Sequence, residues 1–305
     1  LAKMCSRYFR VNFTIRRVSR SLSGAGTMVQ SLSLSHNHIH YIGGVFARLP
    51  ELRELYLAEN NILEIPGDAF AGSISLTVVY LQQNAIRRID GRGLTTLAQL
   101  AQLHLSNNYI EKVPRDFLEH CQNLSSLSLD GNKIRELQPG TFIRLHHLRE
   151  LRLQDNRITE VKRDVFSPLP SLLELHLQNN AITDMETGAL RTLNSLQHVN
   201  LQGNQLTFLG DVFQLSASES SSGGSALVSI QLDSNGLAVL HNDSLRACER
   251  KVRHRNKIIN RFRKTVKVSL NSYKRSELSQ VIRVNYGEQN NVDYLTNVYL
   301  KGFEQ

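Results

Sequence analysis

The chain has 305 residues, 41% of them hydrophobic, with three cysteines and a formal net charge of +9. That length can bury a sizeable core, and no apolar run approaches the length of a membrane-spanning helix. The charge is unevenly placed: residues 1–28 carry six basic and no acidic side chains, residues 29–245 carry 16 basic and 22 acidic, and residues 246–305 carry 14 basic and five acidic. The middle of the chain therefore lacks the basic footprint of a nucleic-acid binder, which excludes that function for the protein as a whole.

Residues 1–28 are basic and become Ser/Gly-rich toward Gly24–Gly26. Asn12–Val18 alternates enough to form a short strand covering whatever follows, while the composition fits a disordered leader equally well. The chain starts at Leu1 with no signal peptide, which reads as a fragment or an incomplete gene model.

From Val29 onward one phrase recurs, L-x-x-L-x-L-x-x-N, clearest at Leu124–Asn132. Its asparagines are Asn37, Asn60, Asn84, Asn108, Asn132, Asn156, Asn180, Asn204 and Asn235, separated by 23, then 24 six times, then 31 residues. Repetition at such a period is the signature of a solenoid. Apolar residues stand eight, five and three places before each asparagine, as at Leu52, Leu55 and Leu57. The last two, separated by one residue, point to one side of a short strand, and the residues between point to the other. After the asparagine come further apolar residues such as Ile62 and Ile65, then a large one at Phe46, Phe70, Leu94, Phe117, Phe142, Phe166, Leu190, Phe213 or Leu245. One such turn cannot bury its apolar side alone, so stability arises between stacked turns. Where the chain leaves the strand, inward backbone groups lack ladder partners. An amide side chain supplies donors and an acceptor for them, so the nine asparagines are expected to form a stacked structural ladder.

The opposite side of the turn shows no helix signal, and Pro66 and Pro114 suit turn or extended geometry. Short strands, 3-10 turns and loops are expected there. Ser216–Ser225, SASESSSGGS, lengthens the last step with the composition of a flexible spacer. After Leu245 the phrase stops. Arg246–Lys267 is strongly basic, and Val266–Leu270, Val281–Tyr286 and Val298–Leu300 could be strands. Three readings of residues 246–305 remain: a degenerate cap, a basic surface tail, or foreign sequence from a misplaced exon boundary, with the last two favoured. A basic run of this kind could contact a polyanion or serve nuclear import, although most such runs are simply solvated.

The phrase resembles the 24-residue "typical" class of leucine-rich repeat proteins, as found in Toll-like receptor, Slit-like and chaoptin-like ectodomains. The resemblance covers about Met28 to Leu245. It implies a β-rich α/β solenoid, a curved horseshoe with a parallel sheet on the concave side and a mostly irregular convex side. It also implies protein recognition outside the cell or at its surface. Arrays of this class usually end in caps with closely spaced cysteines, whereas here Cys5 and Cys248 each stand alone and Cys121 sits in the back of a repeat as a buried thiol. The expected organisation is a leader or degenerate cap at 1–28, a nine-repeat solenoid at 29–245 and a basic tail at 246–305.

Residues four places before each asparagine face outward from the concave sheet: Ser33, Tyr56, Tyr80, His104, Ser128, Arg152, His176, Asn200 and Gln231. Two places further back stand Glu54, Glu150 and Glu174. Strands about 4.8 Å apart make these rows continuous. Tyr and Arg are enriched at interface hot spots, so a protein ligand or co-receptor is expected to dock on Tyr56, Tyr80, His104, Arg152 and His176, flanked by Glu150 and Glu174. The alternative is that exposed strand positions are merely polar, with Tyr favoured by strand propensity.

No nucleophile elbow, phosphate loop or zinc-protease motif occurs, so neither catalysis nor a cofactor is expected. His36, His38 and His40 straddle a bend with no carboxylate or cysteine near them in sequence, and are not read as metal ligands. Asn12, Asn123 and Asn242 head N-x-S/T sequons and are glycosylation candidates in a secreted chain. The favoured function is a non-enzymatic extracellular or cell-surface recognition domain. The rivals are an intracellular scaffold of the same fold and the recognition region of a larger receptor enzyme.

Overall fold

The computed structural model describes residues 8–10, 29–47, 49–209, 212, 229–232, 234–236 and 239–240. The expectations placed on Asn12–Val18, Phe213, Ser216–Ser225, Asn242, Leu245 and residues 246–305 fall outside the described residues, as do Cys5, Asn12 and Cys248.

Each repeat contributes one three-residue strand to a single parallel sheet of ten strands. After Tyr8–Arg10 the strands are Ser31–Ser33, Glu54–Tyr56, Val78–Tyr80, Gln102–His104, Ser126–Ser128, Glu150–Arg152, Glu174–His176, His198–Asn200 and Ser229–Gln231, neighbours in space in that same order. Parallel pairing needs a crossover between strands, and the rest of each turn supplies it. The central residue of each strand is buried: Leu32, Leu55, Val79, Leu103, Leu127, Leu151, Leu175, Val199 and Ile230 are at most 4% exposed. Register matches them one to one along the array, as in Leu55 with Val79 and Leu127 with Leu151. The alternation places the flanking residues of each strand on the outer face. Tyr8–Arg10 extends the sheet by one strand, Tyr8 opposite Ser31 and Arg10 opposite Ser33. This strand stands upstream of the Asn12–Val18 alternation, which lies outside the described residues.

The other side of the solenoid is turns and bends, with no helix among the described residues. Three parallel pairs of two residues interrupt them: Glu64–Ile65 with Arg88–Ile89, Glu160–Val161 with Asp184–Met185, and Phe208–Leu209 with Val239–Leu240. Pro66 and Pro114 each begin a tight turn, their carbonyls accepting from Ala69 N at 3.0 Å and Phe117 N at 3.3 Å. Neither proline's missing N–H is needed there.

Between the two sides lies one continuous core. Phe46, Phe70, Phe117, Phe142 and Phe166 are its largest fully buried side chains. Phe46 stacks on Phe70 at 6.2 Å and Phe142 on Phe166 at 6.1 Å between ring centroids. Burying a side chain of this size is worth about 2–3 kcal/mol, and most of that area is covered by adjacent turns. Cys121 is fully buried here, and desolvation pushes its thiol up to about 12, so it stays a neutral thiol at physiological pH.

The asparagine column runs along the edge of this core. Asn132 donates through Nδ2 to Leu129 O (2.9 Å) and Asp130 O (3.2 Å) of its own turn and to Leu105 O (3.0 Å) of the turn before. Its Oδ1 accepts from Ile110 N at 3.0 Å, also in the preceding turn. The same set recurs at Asn60, Asn84, Asn108, Asn156, Asn180 and Asn204, which are 4–8% exposed. Asn37 bonds to Leu34 O and Ser35 O, and Asn235 reaches back to Leu201 O at 2.9 Å.

The residue just before each asparagine has a left-handed backbone. His36, Glu59, Gln83, Asn107, Asp155, Asn179 and Ser234 have φ between 55° and 58°, with Gly131 at 65° and Gly203 at 66°. Glycine alone adopts this region without strain. At Gly131 the space is limited as well, because an added Cβ would lie 2.3 Å from Asn107 Oδ1.

Candidate protein-binding face

Tyr56, Tyr80 and His104 occupy register-matched positions on consecutive strands. The strand repeat therefore sets their ring spacing. Centroids lie 4.7 Å apart in both pairs, with planes inclined by 11° and 5°. Each ring covers its neighbour's face, so the stack presents edges and polar tips to the concave side. Tyr56 OH donates to Glu54 Oε2 at 3.1 Å.

His104 continues the stack toward Ser128, whose Oγ is 3.5 Å from its Nδ1. Burial holds the His104 pKa below its ordinary value, and the positive charge of Arg152 adds to the effect against the opposing charges of Glu150 and Asp130. His104 is thus neutral at physiological pH, and its Nε2 is buried without a hydrogen-bond partner.

Beyond Ser128 the face is charged. Arg152 Nε and Nη2 each lie 2.6 Å from Glu150 Oε1, and Ser126 Oγ donates to Glu150 Oε2 at 3.1 Å. Desolvation raises the Glu150 pKa, but Arg152, the Ser126 hydroxyl and His176 outweigh it and hold the carboxyl below its usual range. Glu174 stands directly opposite Glu150 and His176 opposite Arg152. Like charges opposite one another destabilise a sheet, and here Arg152 offsets the pair. His176 Nε2 is 3.3 Å from Glu174 Oε2.

The two groups that the sequence separates form one strip. Only Ser128, 5% exposed, intervenes between His104 and Arg152. Beside the strip, Ser106 donates to Asp130 at 2.7 Å, and Oε1 of Gln82, Gln154 and Gln178 is buried with no partner.

Sequence spacing pointed to no metal ligands, yet Glu150, Glu174 and His176 bring one ligand atom each within 4.8 Å of one another. That nitrogen and oxygen set suits a zinc-type ion, although Arg152 already supplies positive charge beside Glu150. Around the histidines of the first repeat, the next turn brings Glu59 to 2.9 Å from His36, a carboxylate 23 residues away in sequence, with the His36 side chain 65% exposed. His38 Nδ1 lies 3.4 Å from Asn61 Oδ1. Asn123 is exposed and donates to Ala98 O at 3.0 Å, while Leu124 beside it is buried.

The short parallel strands, the irregular outer side and the bonded asparagine column define a repeat solenoid of the horseshoe type. Leucine rich repeat models match residues 50–110, 98–158 and 146–206, and a two-copy Leucine Rich repeats model matches residues 27–68. The chain belongs to the leucine-rich repeat family. A search of curated protein sequences gave no match. Among solved structures, TLR13 in complex with ssRNA13 is 23% identical over 75% of this chain, with a TM-score of 0.66. Drosophila Toll in complex with Spatzle is 20% identical over 81% of the chain, TM-score 0.63. A leucine-rich repeat protein of Leptospira interrogans is 25% identical over 81% of the chain, TM-score 0.62. The chain spans 32% of the TLR13 chain, 36% of Toll and 61% of the Leptospira protein. Among the described residues no helix is long and apolar enough to cross a membrane.

Proposed function

We propose that this chain is a non-enzymatic recognition domain, displayed outside the cell or on its surface, that binds a protein ligand or co-receptor on the concave sheet. The observation that carries this reading is the unbroken strip from Tyr56 through Tyr80, His104 and Ser128 to Arg152 and His176, bounded by Glu150 and Glu174. It joins aromatic edges to a charge cluster held in place by its own hydrogen bonds. Preorganised side chains lose little freedom on binding, and Tyr and Arg are the residue types that anchor interfaces. The proposed organisation is a leader or degenerate cap at 1–28, the array at 29–245 and a basic tail at 246–305 whose charge suits contact with a polyanion.

The test is secretion of the chain behind an added signal peptide, followed by screening against a library of extracellular proteins. A protein that binds the parent should lose at least about tenfold in affinity to the Tyr56→Ala/Arg152→Glu variant. Equal binding by parent and variant would remove the concave strip from the interface. An endoglycosidase-sensitive mobility shift, lost in Asn123→Gln, would show that the exposed Asn123 sequon accepts a glycan in the folded chain, as an extracellular domain requires of it. Attachment there leaves one N–H on Nδ2 to keep the bond to Ala98 O.

A further inference from the structure

Away from the concave strip, one flank of the array carries cations that form no ion pair among the described residues. It is built from the residues one and three places after the ladder asparagines. Tyr109, Lys133 and Arg157 hold the first of these places in successive turns. Their N–H groups bond to Ile86 O, Ile110 O and Ile134 O of the preceding turns, each at 2.9 Å. Arg87 and Arg135 hold the second place, on either side of Glu111, and Arg87 N bonds to Leu63 O at 2.9 Å. The backbone under these side chains is thus locked turn to turn. Tyr109 is 42% and Leu63 52% exposed. The Arg87 guanidinium lies 5.6 Å and the Lys133 ammonium 4.6 Å from the centroid of the Tyr109 ring, one from each adjacent turn. Arg88 and Lys162 pair with Glu64 and Glu160 at 2.7 and 3.0 Å. Arg87, Lys133, Arg135 and Arg157 have no such pair among the described residues. Positive charge is thus concentrated on an array whose residues 29–245 carry 22 acidic against 16 basic side chains.

We infer that this flank is a second docking surface, for an acidic protein segment carrying an apolar residue. Charge complementarity selects the acid: a carboxylate beside the Tyr109 ring meets the Arg87 guanidinium or the Lys133 ammonium already held there, and a guanidinium fork donates two hydrogen bonds to it. The Tyr109 ring argues against other polyanions. With a cation over the ring from each adjacent turn, its faces are not open to stack on a base or a sugar. Its exposed edge and the Leu63 side chain offer instead the apolar contact that a peptide side chain uses. This surface is independent of the concave strip and stands whether or not that strip binds a partner.

The experiment is carbodiimide cross-linking of the full chain to a synthetic peptide of Glu-Glu-Leu repeats, with adducts located by mass spectrometry. Lys133 should be a principal adduct, reduced at least about tenfold in Arg87→Glu/Arg157→Glu, which leaves Lys133 in place. Leucine-free oligoglutamate should label Lys133 several-fold less. The unfolding midpoint of the double variant checks that the array is intact. Adducts confined to lysines of residues 246–305 would overturn the inference. So would a Lys133 adduct unchanged in the double variant, or equal labelling by the leucine-free peptide. Self-association of the parent that the double variant loses would assign the flank to a second copy of the chain instead.

Discussion

Two columns of side chains run the length of this array, one residue per turn, and they behave in opposite ways. The inner column is asparagine at all nine positions. The outer one, four residues upstream, reads Ser33, Tyr56, Tyr80, His104, Ser128, Arg152, His176, Asn200 and Gln231. Both have the same spacing along the chain. What differs is what they face. The inner amide meets the same backbone carbonyls and the same N–H in every turn, so the chemistry it must supply repeats. The outer side chains meet water and one another, and nothing in the fold demands a particular residue. Architecture is written in the uniform column and identity in the varied one.

Several substitutions would break or sharpen that contrast. Asn132→Ala should have the largest effect. It strands Ile110 N and removes one of two donors from each of Leu105 O, Leu129 O and Asp130 O, which keep Asn108, Asn156 and Asn107 N. At about 1–3 kcal/mol for the stranded N–H and about 0.5–1.5 kcal/mol for each further hydrogen bond lost, partly relieved by relaxation, a loss of about 3–5 kcal/mol is expected in denaturant unfolding. Tyr80→Ala, on the outer column, should cost no more than about 1–1.5 kcal/mol, the worth of two half-exposed ring contacts. Equal losses at the two sites would erase the distinction. Leu127→Ala falls between them at about 2–4 kcal/mol, because it empties a fully buried site between two register-matched leucines.

The left-handed position before the asparagine gives a paired test of about 1 kcal/mol in each direction. Gln83→Gly should stabilise, relieving a side chain held at φ 57°. Gly131→Ala should destabilise, because it adds the same strain and crowds Asn107.

The smallest effects concern pH and the charged end of the strip. His104 has a folded pKa below its ordinary 6.5. The unfolded chain therefore binds the proton first, and stability falls as pH drops below about 6.5. Glu150, also depressed, contributes stability that is present above its ordinary 4.5 and lost as pH falls through the folded value. Arg152→Met should raise both pKa values in an NMR titration. Since the pair is half exposed at Arg152 and screened by solvent there, the change in stability should stay within about 0.5–1 kcal/mol. An unmoved His104 titration would show that Arg152 is not electrostatically coupled to the aromatic stack.

Much of the fold could be read from spacing alone because a solenoid converts sequence period into spatial adjacency. The strand at Ser126–Ser128, the buried Leu127 and the side-by-side order of Tyr56, Tyr80 and His104 all follow from residue offsets. What spacing does not carry is side-chain conformation. Arg152 pairs with Glu150 of its own strand, and the contact of His104 with Ser128 closes the gap between two groups that look separate on paper. Glu59 reaches His36 across a whole turn. The patch around Tyr109 lies off the concave strand, past the asparagine, where Tyr109, Lys133 and Arg157 follow from the same arithmetic but the approach of Arg87 from a neighbouring column does not. The left-handed column was hidden because polar residues fill it at seven of nine positions, although Gly131 and Gly203 at equivalent places were a usable signal.

The parallel sheet has a mechanical consequence. Its hydrogen bonds run along the solenoid axis, joining each turn only to the turns on either side. Tension applied between the chain's two ends would load those bonds one turn at a time, as in peeling, and not all together, as in shear. Stretched in an optical trap, the array should yield in a regular staircase at modest force. Each 24-residue repeat would pay out about 80 Å of contour at full extension, and the steps would interrupt at any repeat whose asparagine has been replaced.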